Sequence, residues 1–439
     1  SLIMHRIFSL SLALLFTLIA SAQTYTLQQC IDTALANSIP VQQVGLQSQA
    51  AAIQLNQSRN NVLPDLSADV FHGLNQGRSI DPNSNSYVNQ SLNFASYQLN
   101  SAIRVFGGGE LRNTIRQNAT AYEATKLEYQ QAKDVLTLNV ILAYLQVLNA
   151  EDLVGSTTRQ AELSQKELER LQVLNSQGAI KPSELSDLKG QLMNDQLSIS
   201  NARNTLELAK LSLAQLMNKA YSSVLTVERL NIGEMLTVYS STADQVYEDA
   251  LGQFAQIKAA ILRTKSYEYG VKAAKGGFYP TVSLGGGFAT NYSSTARNAA
   301  GKISYNGQLS NNISSSLGVG ISVPIFNRFQ VRNRVKLADI FVKTSELQEE
   351  SIRLQLRQQI DQAYLNMTNA YDRYKLLLQQ VAAYTQSFNA AEVRYKSGVG
   401  TSYDYLIAKD RLDRANTNLI TAQYDFVFRK KVLEYYSKK

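Results

Sequence analysis

The sequence predicts a mixed α/β membrane protein assembled from two structural repeats, each with a β-hairpin and a long helical hairpin. Three observations lead to this fold class. Similar stretches recur along the 439-residue chain at a constant spacing. Segments of about ten residues alternate apolar with small or polar side chains, as membrane-crossing strands do. Very long runs without proline follow these segments, and such runs are typical of long helices.

The repeat consists of three pairs of similar stretches, and the interval between the two members is the same in every pair. The pairs are FGGGELRN at 106–113 with FNRFQVRN at 326–333, AYLQVLNA at 143–150 with AYLNMTNA at 363–370, and SQGAIKPSELSDLKGQL at 176–192 with KSGVGTSYDYLIAKDRL at 396–412. Upstream, the similarity continues with a shift of four residues. A constant spacing predicts one architecture formed twice. We place the first repeat at 23–218, an irregular linker at 219–242 and the second repeat at 243–439.

The segment before the first repeat, residues 1–22, has the features of a signal peptide. A basic start precedes an apolar run at 7–19, and the small residues ASA follow at 20–22. The alternative is an N-terminal anchor helix, but the run is short for spanning a bilayer. We therefore expect export, with cleavage before Gln23. No later stretch has the ~18 apolar residues of a membrane helix, so we expect a periplasmic, secreted or outer-membrane protein.

Composition excludes several classes of function. The net charge is +8, but the basic residues are spread among acids without a dense cluster, which favours a solvated surface over a nucleic-acid partner. The two histidines, His5 and His72, are too few for a metal centre. No Ser/His/Asp or Cys/His set is available for nucleophilic catalysis. We expect no enzyme activity, no cofactor and no metal, and interpret the single cysteine, Cys30, as a small buried hydrophobe.

A glycine run at 107–109 lies between a predicted strand and a predicted helix, the order found in phosphate-binding loops. It lacks the Lys-Ser/Thr pair of such loops, and the second repeat has Asn327, Arg328 and Phe329 in its place. We therefore expect these glycines to let the strand bend into the helix.

Four segments have the alternation of strands, two in each repeat. Their apolar positions are Leu66, Ala68, Val70; Tyr97, Leu99, Ile103, Val105; Val282, Leu284, Phe288; and Leu317, Val319, Ile321, Val323, Ile325. Lipid on one face and water on the other would suit this pattern. A soluble sandwich with one buried face is the alternative. The loops between paired strands are long and polar, as extracellular loops are.

The helices are predicted to be too long for an ordinary domain. From Glu110 to Gln177 there is no proline and one glycine, Gly155, which predicts a rod of about 100 Å. The six prolines all lie at segment edges or in turns. Each repeat is therefore expected to end in a helical hairpin, with tight turns near Gly178 and Gly398.

Four strands per chain cannot close a membrane barrel, because the smallest such barrels have about eight. An open sheet edge is not tolerated in lipid. Two or more chains must therefore share one barrel. Three chains would supply twelve strands, but closure by itself does not select three over two or four.

The chain resembles the TolC family of outer-membrane efflux proteins over essentially its whole mature length. The duplicated strand-to-helix passage, the duplicated AYL helix and the second turn, RYKSGVGTSYDYLIA at 394–408, carry the resemblance. It implies a homotrimer with a twelve-stranded outer-membrane β-barrel, four strands per chain, continuing into a long periplasmic α-helical barrel. The implied function is an exit duct for efflux or type I secretion in a Gram-negative outer membrane. Implied partners are a periplasmic adaptor, an inner-membrane transporter and outer-membrane lipid.

The resemblance also implies a periplasmic gate. The family motif YxxGTRTxxDVLDA places its first ring aspartate at Asp404, whereas Ile407 stands at the second acidic position. The family's locking arginine falls on Gly400 and is absent, and the remaining lock residues correspond to Tyr395 and Glu184. We therefore expect one acidic ring and a reduced lock. The alternative is that Asp404 only begins the outgoing helix, where an acid suits the helix dipole.

Adaptor hairpins are expected to dock at the two turns, which comprise Gly178, Ala179, Ile180 and Lys181, and Gly398, Val399, Gly400 and Thr401. Two other classes of protein compete with the exit duct. A periplasmic adaptor also has long helical hairpins, but it would need lipoyl-like and barrel β-domains. A periplasmic enzyme would need a catalytic set of residues. The cargo, whether drug, metal ion or polypeptide, has no recognisable motif.

Overall fold

The computed structural model describes residues 24–80, 85–89 and 91–437, so the predicted signal peptide lies outside the described residues. The helices are α1 Leu27–Asn37, α2 Ile39–Asn60, α3 Glu110–Ser176, α4 Pro182–Leu216, α5 Ile232–Met235, α6 Ala243–Gln253, α7 Ala255–Gly276, α8 Tyr305–Asn311, α9 Gln330–Lys396 and α10 Ser402–Ser437. The strands are β1 Thr24–Tyr25, β2 Ser67–Asn75, β3 Arg78–Ile80, β4 Tyr87–Asn89, β5 Leu92–Gly107, β6 Thr226–Val227, β7 Thr281–Ser293, β8 Arg297–Asn298, β9 Gly301–Lys302 and β10 Ser314–Ser322.

Each repeat forms the predicted series of helix, strand, loop, strand and two long helices. The longest helices, α3 and α9, both have 67 residues, and their first and last residues occupy equivalent positions of the two repeats. Helices α1 and α6 both begin with a capping box. In these boxes the hydroxyl of Thr26 accepts from the backbone N–H of Gln29, and that of Thr242 accepts from Gln245. The same local chemistry therefore begins both repeats.

The chain folds into two compact units, and each unit draws on both repeats. The sheet unit comprises residues 45–128 and 256–352 and contains a four-stranded sheet with its adjoining helix segments. The hairpin unit comprises the residues up to 44, 129–255 and 353 onward, and contains both helical hairpin turns. None of the helices in the described ranges combines the length and the hydropathy needed to cross a membrane.

The sheet has the strand order β10-β7-β5-β2, and every neighbouring pair is antiparallel. The central pair joins the repeats, because β5 belongs to the first and β7 to the second. These strands have 16 and 13 residues, more than predicted, whereas β2 and β10 have 9 each. Strand β10 ends at Ser322, earlier than the predicted Ile325, because Pro324 has no N–H to donate to a ladder.

The two outer strands of the sheet leave their outer edges unpaired and most of their apolar side chains exposed, over the part of the chain that the structure describes. Among the residues that the structure describes, no further strand pairs with β2 or β10 in this sheet. On β10 the predicted apolar side chains are exposed, Leu317 by 82 % and Val319 by 66 %. Apolar surface of this extent marks a site of contact with lipid or with another chain.

Both strand-to-helix passages use backbone conformations with positive φ. In the first repeat they fall on Gly108 (φ 59°) and Gly109 (φ 78°), where we predict a bend. A Cβ atom at Gly108 would lie 2.4 Å from the carbonyl oxygen of Gly276, so a side chain does not fit. The equivalent positions of the second repeat hold Arg328 (φ 54°) and Phe329 (φ 60°). Residues with a side chain make the second bend, at a cost in backbone strain.

The loop between β7 and β10 contains more structure than its polar sequence predicts. It includes α8, whose N-cap Ser304 accepts a hydrogen bond from the backbone N–H of Gly307. Gln308 on this helix is 1 % exposed. Its amide accepts from the N–H of Ser293 at 2.8 Å and donates to the carbonyl oxygen of the same residue at 2.9 Å. The buried amide of Gln308 therefore fixes the position of α8 in this polar loop by bonding to the backbone of Ser293.

The core of the hairpin unit encloses Cys30, which is fully buried as predicted. Burial raises the pKa of the Cys30 thiol to about 11. Tyr144, on α3, is also fully buried. Its single hydroxyl proton is shared between the carbonyl oxygens of Glu228 at 2.6 Å and Tyr25 at 3.1 Å. This contact attaches the start of the first repeat and the linker to the long helix.

The linker at 219–242 is irregular over most of its length, yet it is attached to this core. Strand β6 in the linker pairs in parallel with β1, and Val227 is buried. The ammonium of Lys430 on α10 donates to the carbonyl oxygens of Met235 at 3.2 Å and Thr237 at 3.1 Å. Burial lowers the pKa of Lys430, because the charged form loses hydration there. The linker is therefore held by backbone contacts that its composition does not reveal.

Candidate functional site at the hairpin turns

The two helical hairpins end in turns of the same geometry. Gly178 and Gly398, at equivalent positions of the two repeats, have φ of 67° and 78°. In the second turn the backbone N–H of Val399 returns to the carbonyl oxygen of Arg394 at 3.0 Å, and the corresponding bond is present in the first turn. This is the Schellman arrangement, in which a glycine in the left-handed region ends a helix. Local backbone chemistry therefore sets both turns.

Most residues that we predict to dock a partner are accessible. Gly178, Ala179, Lys181, Gly398, Val399 and Thr401 are exposed, whereas Ile180 and Gly400 are half-buried. Ile180 packs against the apolar cluster beside the turns. Val399 exposes 81 % of its surface. The turns thus present small residues around one projecting apolar side chain.

An acidic residue lies in the first turn of each outgoing helix. Glu184 on α4 and Asp404 on α10 are again at equivalent positions of the two repeats. The hydroxyl of Thr401 accepts from the N–H of Asp404 at 3.1 Å and donates to its carboxylate at 2.7 Å. Asp404 therefore has a local role in starting α10, where the helix dipole favours an acid. Its side chain remains exposed to solvent, and that of Glu184 is half-buried.

Gly400 and Ile407 are the two positions that depart from the predicted gate motif. The N–H of Gly400 donates to the carbonyl oxygen of Arg394 at 2.9 Å. A Cβ atom at Gly400 would lie 3.1 Å from the backbone nitrogen of Tyr395, so the turn leaves little room for a side chain. Ile407 is half-buried on α10. The chain thus has an apolar side chain where the motif has its second acid.

Tyr395 lies in the apolar cluster beside the turns and is 9 % exposed. Its ring stacks on that of Tyr405, with the centroids 5.1 Å apart. The guanidinium of Arg170 lies 5.6 Å from the ring centroid of Tyr395. Burial raises the pKa of Tyr395 to about 12, and the negative charge of Glu184 adds to this effect. The two predicted lock residues, Tyr395 and Glu184, are therefore near enough to interact electrostatically.

A buried ion cluster joins three helices of the hairpin unit. Lys409 on α10 is 1 % exposed. Its ammonium lies 3.1 Å from a carboxylate oxygen of Asp195 on α4, and 2.5 Å from one of Asp413 on α10. Asp195 also accepts hydrogen bonds from Ser164 on α3 at 2.5 Å and from Gln191 at 2.8 Å. Helices from both repeats therefore meet at one buried lysine.

The members of this cluster differ in how well they are paired. The carboxylate of Asp195 accepts hydrogen bonds from three side chains. Among the described residues, the carboxylate of Asp413 accepts one, from Lys409. Burial raises the pKa of Asp413, and the charge of Lys409 opposes that rise. One ammonium therefore serves two carboxylates. Removing it would leave buried charge unpaired, which costs about 3 to 5 kcal/mol.

Sequence reasoning missed Lys409, Asp195 and Arg170 as parts of this site. A signal for Lys409 was present in the helix pattern. The residue lies on the buried stripe of α10 that includes Tyr405 and Ala408. A charged residue within such a stripe is almost always paired. Its partner on α4 could not be identified, because the pairing depends on how the helices pack.

The sequence profile of a known family matches most of this chain. The family is described as Outer membrane efflux protein, and the match covers residues 30–219 and 246–430. Among individual proteins, Outer membrane protein TolC of Escherichia coli strain K12 is 25% identical over 411 residues. That alignment covers 92% of this chain and 80% of TolC.

Two solved structures have a similar fold. The outer membrane protein VceC of Vibrio cholerae matches with a TM-score of 0.78 at 18% identity, over 94% of this chain and 95% of VceC. The open state of the MtrE outer membrane channel of Neisseria gonorrhoeae matches with a TM-score of 0.76 at 20% identity, over 94% and 88% of the two chains. These likenesses confirm the predicted fold class, with four sheet strands and two long helical hairpins per chain.

Proposed function

We propose, from the premise that this chain belongs to the outer membrane efflux protein family, that three copies of it form one exit duct. The chain is an outer-membrane channel of efflux systems, with a large periplasmic part. In our proposal the duct conducts substrates passively and performs no chemistry on them. An inner-membrane transporter supplies the energy, and a periplasmic adaptor connects it to the duct.

The observation that carries the assembly is the four-stranded sheet, whose two outer strands have one free edge each among the described residues. A sheet edge left open in lipid has unsatisfied N–H and C=O groups, each of which costs several kcal/mol. If β10 of one copy pairs with β2 of the next, every edge is removed. Three copies then give twelve strands, above the minimum of about eight for a membrane barrel. The resemblance to the TolC family selects three.

The gate in this proposal lies at the hairpin turns. Asp404 carboxylates from three copies would converge on the axis, repel one another and favour cations. Glu184, at the equivalent position of the first repeat, adds a second acid per copy, beside Tyr395. Gly400 supplies no locking arginine, and Ile407 no further charge. The buried pair of Lys409 and Asp195 would then hold the two hairpins of each copy together.

The assembly is tested by fractionation and electrophoresis. The expected result is recovery in the outer-membrane fraction, with a trimer band on unheated gels that heating converts to monomers. Export should also return when the chain is expressed with its own transporter and adaptor in a strain without a duct. A monomer in the soluble periplasmic fraction would contradict the proposal, and would favour the adaptor-like alternative.

Docking of the adaptor is tested separately at the two turns. Residues 177–181 and 397–402 are replaced by Gly/Ser segments of equal length. A control variant carries the same kind of replacement at residues 298–302, which comprise the turn between β8 and β9 with Asn298 of β8 and the whole of β9. Export should be lost in the turn variant and kept in the control, with trimers present in both. Full export by the turn variant would refute this docking site.

A further inference from the structure

The strand–helix junctions of the sheet unit concentrate the positive charge of the chain. We name as the basic belt the junctions at 59–66, 104–112, 272–280 and 322–336. They contain two acids, Asp65 and Glu110, and nine basic residues, which are Arg59, Arg104, Arg112, Lys272, Lys275, Arg328, Arg332, Arg334 and Lys336. The net charge of the whole chain is +8, so all other residues together contribute +1. No one stretch of the sequence holds a dense basic cluster, and the belt is formed by four segments that are distant along the chain.

The register of the sheet brings the four junctions to one end. Thr281, at the start of β7, pairs with Gly107 at the end of β5 and with Ser322 at the end of β10. Ser67, at the start of β2, pairs with Asn100 in the second half of β5. Every strand of the sheet therefore meets its helix at the same end, and the basic belt lies there.

The charges of the basic belt are accessible and largely uncompensated. All nine basic side chains are exposed. Across the part of the chain that the structure describes, Arg104 is the one member with an ion-pair partner, Glu110 at 3.0 Å. The other acid, Asp65, accepts a hydrogen bond from the backbone N–H of Ala102 at 2.6 Å. The belt is therefore a surface that attracts anions.

Exposed aromatic and apolar side chains lie among these charges. Phe278, Tyr279, Phe326 and Phe329 expose between 54 and 73 % of their surface, and Ile325 exposes 95 %. Such surface is unfavourable in water. Aromatic rings interspersed with lysine and arginine are typical of the membrane interface, where rings lie at headgroup level and basic groups reach the phosphates. The neighbouring aromatics thus favour a lipid headgroup over a dissolved anion.

We propose that the basic belt binds the phosphate groups of anionic phospholipids in the periplasmic leaflet of the outer membrane. The proposal rests on the proposed function in one respect, which is that the sheet strands cross this membrane. Six of the nine basic residues are arginines, whose guanidinium donates two parallel hydrogen bonds to a phosphate. Arg328 directly precedes α9, and Arg332 and Arg334 lie near its start, where β10 passes into this helix. Bound headgroups fix the depth at which the strands leave the lipid.

The test compares thermal unfolding of the trimeric mature chain in two kinds of nanodisc. One kind contains phosphatidylcholine alone and the other an equal mixture with phosphatidylglycerol. We expect the anionic lipid to raise Tm, and 1 M salt to remove most of that rise, since the Debye length falls from about 10 Å at 0.1 M to about 3 Å. The junction variant, with Arg328→Gln, Arg332→Gln, Arg334→Gln and Lys336→Gln, should lose at least half of the rise.

A matched control variant removes the same charge from exposed positions of the hairpin unit, through Lys166→Gln, Lys189→Gln, Arg203→Gln and Arg373→Gln. It should keep the full rise in Tm, and inorganic phosphate added to phosphatidylcholine nanodiscs should not reproduce that rise. A junction variant with the full rise would overturn the proposal, as would an equal loss in the control. Loss of export with an unchanged lipid response would also overturn it and assign the basic belt to a protein partner.

Two further readouts keep the outcomes distinct. Should the fourfold variant fail to form trimers, the variant with Arg332→Gln and Arg334→Gln is measured instead, and a rise equal to that of the wild type refutes the lipid site. Channel conductance in phosphatidylcholine bilayers reports on the duct alone. Wild-type protein that conducts but shows no response to phosphatidylglycerol would refute the lipid site while leaving the proposed function intact.

Discussion

The ammonium of Lys409 lies 3.1 Å from a carboxylate oxygen of Asp195, and both side chains are buried. Lys409 belongs to α10 in the second repeat and Asp195 to α4 in the first, so the pair connects the two helical hairpins of one chain. The residue equivalent to Lys409 in the first repeat, Lys189, is exposed. The internal symmetry is therefore broken at this point. Separating α10 from α4 would leave a buried charge unpaired, so the pair favours the packing of these two helices.

Replacing Lys409 with methionine should lower the free energy of unfolding by about 3 kcal/mol, because Asp195 and Asp413 both lose their counter-ion. Urea unfolding of the purified trimer measures the loss. Lys189→Met is the control, and its effect should stay within about 0.5 kcal/mol, as is usual for exposed positions. Adding Asp195→Asn to Lys409→Met should recover part of the loss, since less buried negative charge remains. Wild-type stability in the Lys409→Met variant would contradict this role.

Asp413 should make the stability of the chain depend on pH. Burial raises its pKa in the folded state above the unfolded value of about 3.9. An acid with a raised pKa stabilises the fold below its unfolded pKa, and this contribution is lost as pH rises through the folded pKa. Relative to Asp413→Asn, the wild type should therefore lose stability as pH rises from about 4 through the raised pKa of Asp413 in the folded state. A difference in unfolding free energy that is independent of pH would argue against this titration.

Opposite effects are expected from two substitutions at equivalent positions of the strand-to-helix passages. Arg328→Gly should stabilise the fold by about 0.5 kcal/mol, since relief of left-handed strain exceeds the entropy that glycine adds to the unfolded chain. Gly108→Ala should destabilise it by more than about 1 kcal/mol, because its Cβ would lie 2.4 Å from the oxygen of Gly276. Unfolding in zwitterionic detergent compares the two. Changes of the same sign would refute the assigned strain.

The sequence predicts the repeated architecture well because its signals are local and occur twice. Capping residues at Thr26 and Thr242 start equivalent helices, and the glycines at Gly178 and Gly398 end equivalent ones. These motifs act over a few residues and do not depend on tertiary packing. For the same reason, α3 and α9 begin and end at residues separated by the constant spacing of the repeat.

Features that depend on distant pairings escape prediction. Lys409 and Asp195 are 214 residues apart, and no motif links them. The basic belt gathers four segments that look unremarkable one at a time. At Arg328 and Phe329 neither residue type signals a positive φ. Only the alignment with Gly108 shows that a bend is needed there.

The gate itself stays a prediction made from the resemblance. The negative charge of Glu184 adds to the rise in the pKa of Tyr395, but this does not test a lock between the two residues. The stacking with Tyr405 and the guanidinium of Arg170 over the ring were not foreseen, since both depend on the packing of the hairpins. For Asp404 the structure establishes the local role at the start of α10. Its place in a ring stays a prediction.

Single-channel recording of the trimer in planar bilayers tests the acidic entrance at Asp404. We expect cation selectivity and block by multivalent cations from the periplasmic side, both of which Asp404→Ala and Asp404→Asn should largely remove. Asp404→Asn keeps an acceptor for Thr401, so it separates the ring from the start of α10. Asp372→Asn, at an exposed acid on α9, should leave both properties as they are in the wild type. Unchanged selectivity and unchanged block in the Asp404 variants would contradict the acidic entrance.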